Sequence, residues 1–595
     1  MNTEIERKTP MIVYPYAGSV FYQDLGRRLA KACREKSMPV HLCSSAELRD
    51  MNAASLQDTT VLIVNPWECV HELPAKTKFY SKLSKAGKRV MVLAEAVGFK
   101  WFDAQFKLPI TYDSLIDVGF TSQKAVLKDS RLPYSFLFHG LTQDEEERVL
   151  RISSFGRPIP WAFVGHRRDD RIQVATELIE KVDPAGLVFI PNTGQGIREG
   201  KGMIGPSGLS LSLARTQCYV WRSLHNLRYY ESFRFREAIL AGAAPCKIDP
   251  QIQWEDYNIP GIFGSVEEFA ETLNIEGFEA LQKKAKDFYI SGGRLADHLE
   301  EVFVGWVSDS RVTGNISRIE ASLLDSKPLA EVQLTRKESN GLTIFIPNWN
   351  HRSFLPRSLG SALRAADSLE KEGFSTEILV IDDASRDGSQ KLVRTIQALY
   401  NEPRLRMIAM HQNHGQARLS NIAFQAARFK YVCRMDADNE LLPENLSLFL
   451  RSARQTGATM VYGNLIDKRN DEVVGIRSNM APTLRLLRAN YIDAFSILNA
   501  EKVLKLGGYT RVHPYSPDDW ELVLHLIAEE QLIIMVPAIM GYYNLNTLSA
   551  SQELPKSKEG RGTVYRIYAQ TGMREWDDLQ VGRIYHPDVG FVDEW

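Results

Sequence analysis

Short apolar runs bounded by turn residues recur along most of the chain, and several are separated by stretches with the apolar spacing of a helix. In the first half the runs are Met11 to Tyr14, Val61 to Val64, Val90 to Leu93 and Ser135 to Phe138, with a helical pattern at Leu25, Arg28 and Leu29. A second set opens at Trp161 to Gly165 and continues through Gly186 to Ile190 and Cys218 to Trp221. Runs this short and this uniformly apolar, alternating with helices, predict parallel sheets buried on both faces. The glycine-rich stretch from Gly194 to Gly208 reads as a loop. From Glu231 the pattern predicts a helix stopped by Gly242, then a strand toward Ile248. Residues from about 265 to 305 carry the spacing of amphipathic helices.

The polar, mixed-charge stretch 321–340 is the expected linker. Beyond it strands and helices alternate again, from Leu342–Ile346 as far as Met435, and the pattern loosens after Asn464. No short-period repeat or low-complexity tract interrupts the chain. The predicted fold class is therefore α/β throughout. Two Rossmann-like units are expected at 1–150 and 151–320, a third α/β domain at 341–550 and a C-terminal extension at 551–595.

Composition narrows the function classes. The chain has 595 residues, too many for one hydrophobic core. Its apolar fraction of 44% and charged fraction of 24% are those of ordinary globular protein. A net charge of −1 gives no global field toward nucleic acid or an anionic membrane. Six scattered cysteines without a C-x-x-C pair argue against a disulfide framework and a structural zinc site. The polar start from Met1 to Lys8 lacks the apolar core of a signal peptide. No apolar run reaches the roughly 18 residues of a membrane span. A soluble cytoplasmic protein is expected, with no nucleic-acid partner and no membrane span; peripheral association with a membrane stays open.

The candidate chemistry lies in the second half. The strand Leu342–Ile346 ends at Pro347-Asn348, and the strand Ile378–Ile381 ends at Asp382-Asp383. In an open parallel sheet ligands bind beyond the carboxyl ends of the strands, so these side chains converge on one crevice. A carboxylate there accepts from a pyrimidine N–H or a ribose hydroxyl; the competing reading is an Asp-Asp turn capping the next helix, with Ser385 and Asp387-Gly388 as turn residues. The strand Tyr431–Met435 ends at Asp436-Ala437-Asp438. Two carboxylates one residue apart in an extended segment face the same way and would share a hard cation that bridges to diphosphate oxygens. Mg²⁺ and Mn²⁺ suit such oxygen ligands. An isolated triplet of this kind is more often a solvated turn; its place in a series of carboxylates at strand ends favours the site. Asp518-Asp519 opens the helical pattern around Trp520 to Ile527, where a carboxylate is either a helix cap or a general base for an acceptor hydroxyl.

In order and spacing these pieces resemble the inverting, metal-dependent family 2 glycosyltransferases of the GT-A fold, over about residues 341–550. The matching residues are Ile346-Pro347-Asn348-Trp349-Asn350, Val380 to Ser385, Asn413-His414-Gly415 with Asn421, Met435 to Asp438, Gly507-Gly508-Tyr509 and Asp518-Asp519-Trp520. The resemblance implies a nucleotide-sugar donor bound by Pro347, Asn348, Asp382, Asp383, Asn413 and Asp436. It implies Mn²⁺ or Mg²⁺ held by Asp436 and Asp438, and Asp519, beside Asp518, as the catalytic base. Asn546 stands where the family often has a metal-ligand histidine, so the third ligand would be a carbonyl oxygen.

The first half resembles GT-B transferases, most over about residues 160–250, through Phe163-Val164-Gly165 with Arg171 and the run Arg234 to Pro245. That resemblance implies Glu237 on the donor ribose and Arg234 on the diphosphate. An alanine-rich helix packed on a sheet explains the same residues without a ligand. The expected activity is transfer of a sugar from a nucleotide diphosphate to a glycan, lipid-linked or protein acceptor, in surface polysaccharide or glycoprotein glycan synthesis. The N-terminal half is then either a second transferase or a non-catalytic module for acceptor binding or assembly. A nucleotidyltransferase at the C-terminal site is the rival activity.

Overall fold

The computed structural model describes residues 9–17, 20–94, 100–118, 134–152, 156–165, 167–190, 204–223, 231–249, 259–303, 338–482, 486, 490–509, 518–545 and 582–592. The chain forms two compact units. The first combines residues 1–155 with 222–328, and the second combines 156–221 with 329–595.

The first unit opens with strands β1 (Met11–Tyr14), β2 (His41–Ser44), β3 (Thr60–Val64), β4 (Lys88–Leu93), β5 (Ser114–Asp117) and β6 (Tyr134–Phe136). They form one sheet in the order β2-β1-β3-β4-β5-β6, with every adjacent pair parallel. Met11, Val13, Val61, Ile63 and Met91 face one apolar cluster, and Ile12, Leu62, Val64, Val90 and Val92 face another. A core on both faces is why these strands read as unbroken apolar runs.

The chain then enters the second unit for β7 (Ile159–Val164), β8 (Leu187–Phe189) and β9 (Thr216–Trp221). Strand β7 lies between the other two, parallel to both. It returns to the first unit for the helix Ser232–Ala241, β10 (Ala244–Ile248) and β11 (Ile262–Phe263). As the sequence predicts, that helix stops at Gly242, whose φ of 75° is the left-handed conformation of a helix C-cap. Helices Val266–Glu276, Phe278–Ser291 and Leu295–Phe303 fill the stretch expected to be helical.

The rest of the second unit is one eleven-stranded mixed sheet. Its strands are β12 (Glu338–Asn348), β13 (Ser375–Asp382), β14 (Leu405–Ala409), β15 (Phe429–Arg434), β16 (Glu440–Leu441), β17 (Met460–Arg469), β18 (Glu472–Arg477), β19 (Ser496–Asn499), β20 (Ile533–Asn544), β21 (Gly582–His586) and β22 (Gly590–Val592). The main path runs β14-β13-β12-β15-β19-β17-β20-β21-β22. Strands β14, β13, β12 and β15 are parallel, and β19 inserts antiparallel beside β15. The helix Leu355–Lys371 lays Leu355, Leu359, Ala362, Ala366 and Leu369 on this sheet. That is the three-and-four spacing of one helix face.

A division by chain order, at residue 150 and again at 320, cuts the molecule differently from these units. Hydrogen bonds show what ties 156–221 to the C-terminal sheet. Buried Asn445 donates Nδ2 to the Pro184 carbonyl (2.8 Å), Asn464 to Val188 (3.0 Å) and Asn479 to Ile190 (2.6 Å). All but three residues of the expected linker 321–340, and most of the extension 551–595, lie outside the described residues.

Candidate active site

The parallel strands β12, β13 and β15 deliver their carboxyl ends to one edge. Asn348 pairs in register with Asp382, one residue after Pro347 pairs with Ile381. Asn348, Asp382 and Asp383 are all buried. Asn348 Nδ2 donates to Asp382 Oδ2 (2.7 Å) and to Ser385 Oγ (3.1 Å). Asp382 Oδ1 also accepts from the Ser385 N–H (2.9 Å) and Gln390 Nε2 (2.7 Å). Asp383 accepts from the backbone N–H groups of His414 and Gly415, both at 2.8 Å. These carboxylates therefore shape the loops around them, while Asp382 Oδ2 and both Asp383 oxygens each keep a lone pair for a donor group. Asn413, on the loop that Asp383 anchors, is itself exposed.

The second motif differs in backbone from the extended segment expected. Strand β15 stops at Arg434, and Ala437-Asp438 form a turn closed by the Asn439 N–H on the Asp436 carbonyl (3.0 Å). The short strand β16 pairs with β20 right after it and forces the chain to reverse there. The turn is held by β20: Asn544 Nδ2 donates to the Asp438 carbonyl (2.7 Å). Asp436 Oδ1 is buried and has no hydrogen-bond partner, while a quarter of its side chain (25%) stays open. Burial, reinforced by the charges of Asp438, Asp493 and Asp518, pushes Asp436 up to about 7 against the pull of Arg434. An under-neutralised carboxylate with an unused buried oxygen fits a divalent cation. The described residues gather no cluster of three His, Cys, Asp or Glu for a metal. The third expected ligand, Asn546, lies outside the described residues.

Asp518 and Asp519 open the helix Asp518–Ala528, as the sequence predicts. Asp519 accepts from the Trp520 N–H (2.7 Å) and from Asn490 Nδ2 (3.1 Å). Burial, then the neighbouring charges of Asp518 and Asp493, raise Asp519 above the usual carboxylate range. At the end of β15 the Arg434 side chain, only 1% exposed, reaches toward this helix. Its guanidinium lies 3.7 Å from Asp436 and 3.6 Å from Asp518, donates to Gln416 Oε1 (3.0 Å) and rests 5.1 Å from the Tyr509 ring centroid. Neither its Nε and Nη1 nor Asp518 Oδ2 makes a hydrogen bond. Tyr509 is fixed by a reciprocal pair of 2.8 Å hydrogen bonds with the Asn421 amide. Gly508 before it, at φ 75°, admits no side chain, since a Cβ would fall 2.2 Å from Asn421 Oδ1. The motif pieces Asn421 and Gly507-Gly508-Tyr509 thus brace the arginine between the two acidic motifs.

This arrangement agrees with a sequence match. Residues 343–506 match the family model described as Glycosyl transferase family 2. The C-terminal half carries a family 2 glycosyltransferase domain. Among relatives, succinoglycan biosynthesis protein ExoO of Rhizobium meliloti is 30% identical over 124 residues, 21% of this chain and 33% of that protein. The undecaprenyl-phosphate 4-deoxy-4-formamido-L-arabinose transferase of Aeromonas hydrophila is 28% identical over 168 residues, 26% of this chain and 50% of the relative. The chain thus spans a third to a half of the length of these relatives. Among solved structures, S. aureus TarS in complex with UDP-GlcNAc gives a TM-score of 0.32 at 16% identity, over 39% of this chain and 66% of that one. The mannosyltransferase PcManGT from Pyrobaculum calidifontis, with GDP-Man and Mn²⁺, gives 0.29 at 14%, over 39% and 70%. Both scores are low.

The glycosyltransferase domain holds polar residues that motif reading did not single out. Arg434 had a visible signal, a cation inside the apolar run Val432-Cys433-Arg434-Met435. Asn490, Asp493 and Arg477 had none, because they lie where the sequence pattern is irregular. The two N-terminal candidates behave otherwise. Arg234 lies 3.7 Å from Glu231, one turn away on its own helix. Glu237 lies 3.2 Å from Arg236, at the edge of an ion cluster inside the first unit.

Proposed function

We propose that the glycosyltransferase domain transfers a sugar from a nucleotide diphosphate to an acceptor hydroxyl, with inversion and with a divalent cation, Mn²⁺ or Mg²⁺. The observation that carries this reading is the under-paired carboxylate cluster after β15 and at the start of the helix Asp518–Ala528, where Asp436 Oδ1 and Asp518 Oδ2 are buried without hydrogen bonds beside Arg434. Asp436 and Asp438, with Asn546, would hold the cation, which neutralises charge on the departing diphosphate. Pro347 and Asn348 at the end of β12, Asp382 and Asp383 after β13, and Asn413 in the nearby loop line the nucleotide end. Asp519, raised toward neutrality, takes the acceptor proton as the hydroxyl attacks the anomeric carbon. Asp518 and Arg434 hold Asp519's helix against the cation-binding turn. The relatives' names favour a polysaccharide or lipid-linked glycan as the acceptor class.

For the N-terminal part we favour a non-catalytic module for acceptor binding or assembly. Glu237, the residue expected on a donor ribose, lies within ion-pair reach of Arg236, and Arg234 lies near Glu231. The test is a panel of sugar nucleotides with Mn²⁺ or Mg²⁺, scored by nucleoside diphosphate release, beside the Asp436→Ala/Asp438→Ala double variant. Release by the wild type and not by the variant supports both readings. Release that survives in the variant assigns activity to the N-terminal part. Pyrophosphate release from a nucleoside triphosphate would replace sugar transfer with nucleotidyl transfer.

A further inference from the structure

Asp493 is a third kind of carboxylate in this domain. It lies just before β19 and belongs to neither acidic motif. Its side chain is 14% exposed. One oxygen accepts from the Phe495 N–H (3.1 Å) and the other from Arg477 Nη1 (3.2 Å). Its own N–H donates to Ser478 Oγ (3.0 Å). Arg477, at the end of β18, is fixed in turn by Asp467 (2.5 Å) and lies flat on Tyr543, 3.4 Å from the ring centroid. The result is a carboxylate locked in one orientation, with about two of its roughly four lone-pair sites unused. The lock draws on four strand segments, β17, β18, the lead into β19 and β20, so it holds without a ligand.

The position of Asp493 defines what it meets. It lies within electrostatic reach of Asp436 on the cation side and of Asp519 on the base side. Tyr543, under Arg477 and next to the Asn544 that holds the Asp438 carbonyl, lies within electrostatic reach of the same charges, Asp493, Asp436 and Asp438. In a single displacement the leaving diphosphate, the anomeric carbon and the attacking hydroxyl lie roughly in line. A group within reach of both ends of that line lies beside the transferred ring. An ionised carboxylate only accepts hydrogen bonds, so its partner must be a hydroxyl or amide N–H.

Resting on the glycosyltransferase reading above, we propose that Asp493, oriented by Arg477 on Tyr543, receives a hydroxyl or amide N–H of the transferred sugar and sets which sugar the domain accepts. Arg477 is a positioning residue in this scheme. A site built to bond a polar group discriminates strongly against the analogue that lacks it, because the buried acceptor is left without a partner.

The test takes the full chain and the sugar nucleotide that gives the fastest diphosphate release, together with its single deoxy (or des-acetamido) analogues. The wild type is expected to lose roughly 10- to 100-fold in kcat/KM on one analogue. In Asp493→Ala that one ratio collapses toward unity, while the ratios for the other analogues stay as in the wild type. Affinity for the free nucleoside diphosphate is expected to be unchanged, which shows that the domain is folded. The isosteric Asp493→Asn is expected to retain part of the discrimination, and Arg477→Lys to weaken it at the same sugar position. Equal loss on all analogues in Asp493→Ala, or unaltered discrimination, overturns the proposal and leaves the glycosyltransferase reading standing. No release by the wild type from any sugar nucleotide overturns both.

Discussion

Two buried arginine–carboxylate clusters, one in each unit, use the same side chains to opposite ends. In the first unit, Glu145 accepts from Arg28 at 3.0 and 2.8 Å and from Arg236 at 2.7 Å, and Arg236 also reaches Asp24 at 2.6 Å. Arg28 donates further to the Gly140 carbonyl (2.8 Å) and meets His139, whose other ring nitrogen bonds Ser232 Oγ (2.8 Å). Burial pushes Glu145 up, but the two guanidiniums overcome it and hold the carboxyl down to about 2. In the second unit, Arg434 stands off from Asp436 and Asp518 at 3.7 and 3.6 Å, and Asp436 rises to about 7. A cluster whose carboxylate is hydrogen-bonded by two guanidiniums fastens helices. One that leaves its carboxylates short of positive charge is built for a charge that arrives with the ligand. The contrast agrees with the proposal that sugar transfer takes place in the second unit.

The largest test of the contrast is Asp519→Asn. It is expected to lower transfer by about 10²–10⁴-fold while sugar-nucleotide binding and the melting temperature stay close to wild type. Full activity in that variant removes Asp519 as the base. The counterpart in the first unit is Glu145→Gln. Removing the shared carboxylate leaves two buried guanidiniums without it, with an expected destabilisation of about 3–5 kcal/mol in urea titrations. A change below about 1 kcal/mol would mean that the cluster is not a fastening.

Asp436→Asn is expected to do the reverse. It should abolish metal-dependent diphosphate release yet raise the stability of the metal-free protein at pH 7.5 by about 0.5–2 kcal/mol, since it removes an uncompensated charge. A loss of stability would show that Asp436 is already well paired. The pH dependences follow with opposite signs. Glu145, depressed to about 2, contributes stability that is full above the ordinary carboxylate range and is lost as pH falls toward 2. Asp436, raised to about 7, binds its proton more tightly folded than unfolded, so its contribution falls as pH rises from about 4 to 7. Stability measured with a chelator should therefore show a decline between those values that is shallower in Asp436→Asn, the remainder coming from Asp519 and Asp117, which burial also raises. The smallest effect is expected at a neutral, closed contact: Asn464→Ala, which frees the Val188 carbonyl, should cost about 1 kcal/mol and leave transfer intact.

The motifs could be read from the sequence because each is local. A strand buried on both faces shows as an apolar run, and the polar residue that ends it is conspicuous by contrast, as Asn348, Asp382 and Asp436 are. Asp518 was legible for the same reason, as the start of a helical period. Asp438 shows where local reading stops short, since an Asp-x-Asp spacing implies a shared direction only while the backbone stays extended. The pairing of β16 with β20 bends it, and that pairing joins residues about a hundred positions apart.

By itself the sequence determined the α/β class, the helix end at Gly242 and the series of carboxylates at strand ends, because periodicity and turn chemistry act over a few residues. Only the tertiary structure decided which carboxylates are neutralised. Glu145 and Asp436 are the same kind of group in the sequence, and what separates them is the distance to a guanidinium, 2.7–3.0 Å in one case and 3.7 Å in the other. It likewise decided that residues 156–221 fold with the C-terminal sheet, through amides at Asn445, Asn464 and Asn479 that carry no periodic signal. Electrostatic pairing and side-chain-to-backbone hydrogen bonds depend on separations in space that chain order does not contain.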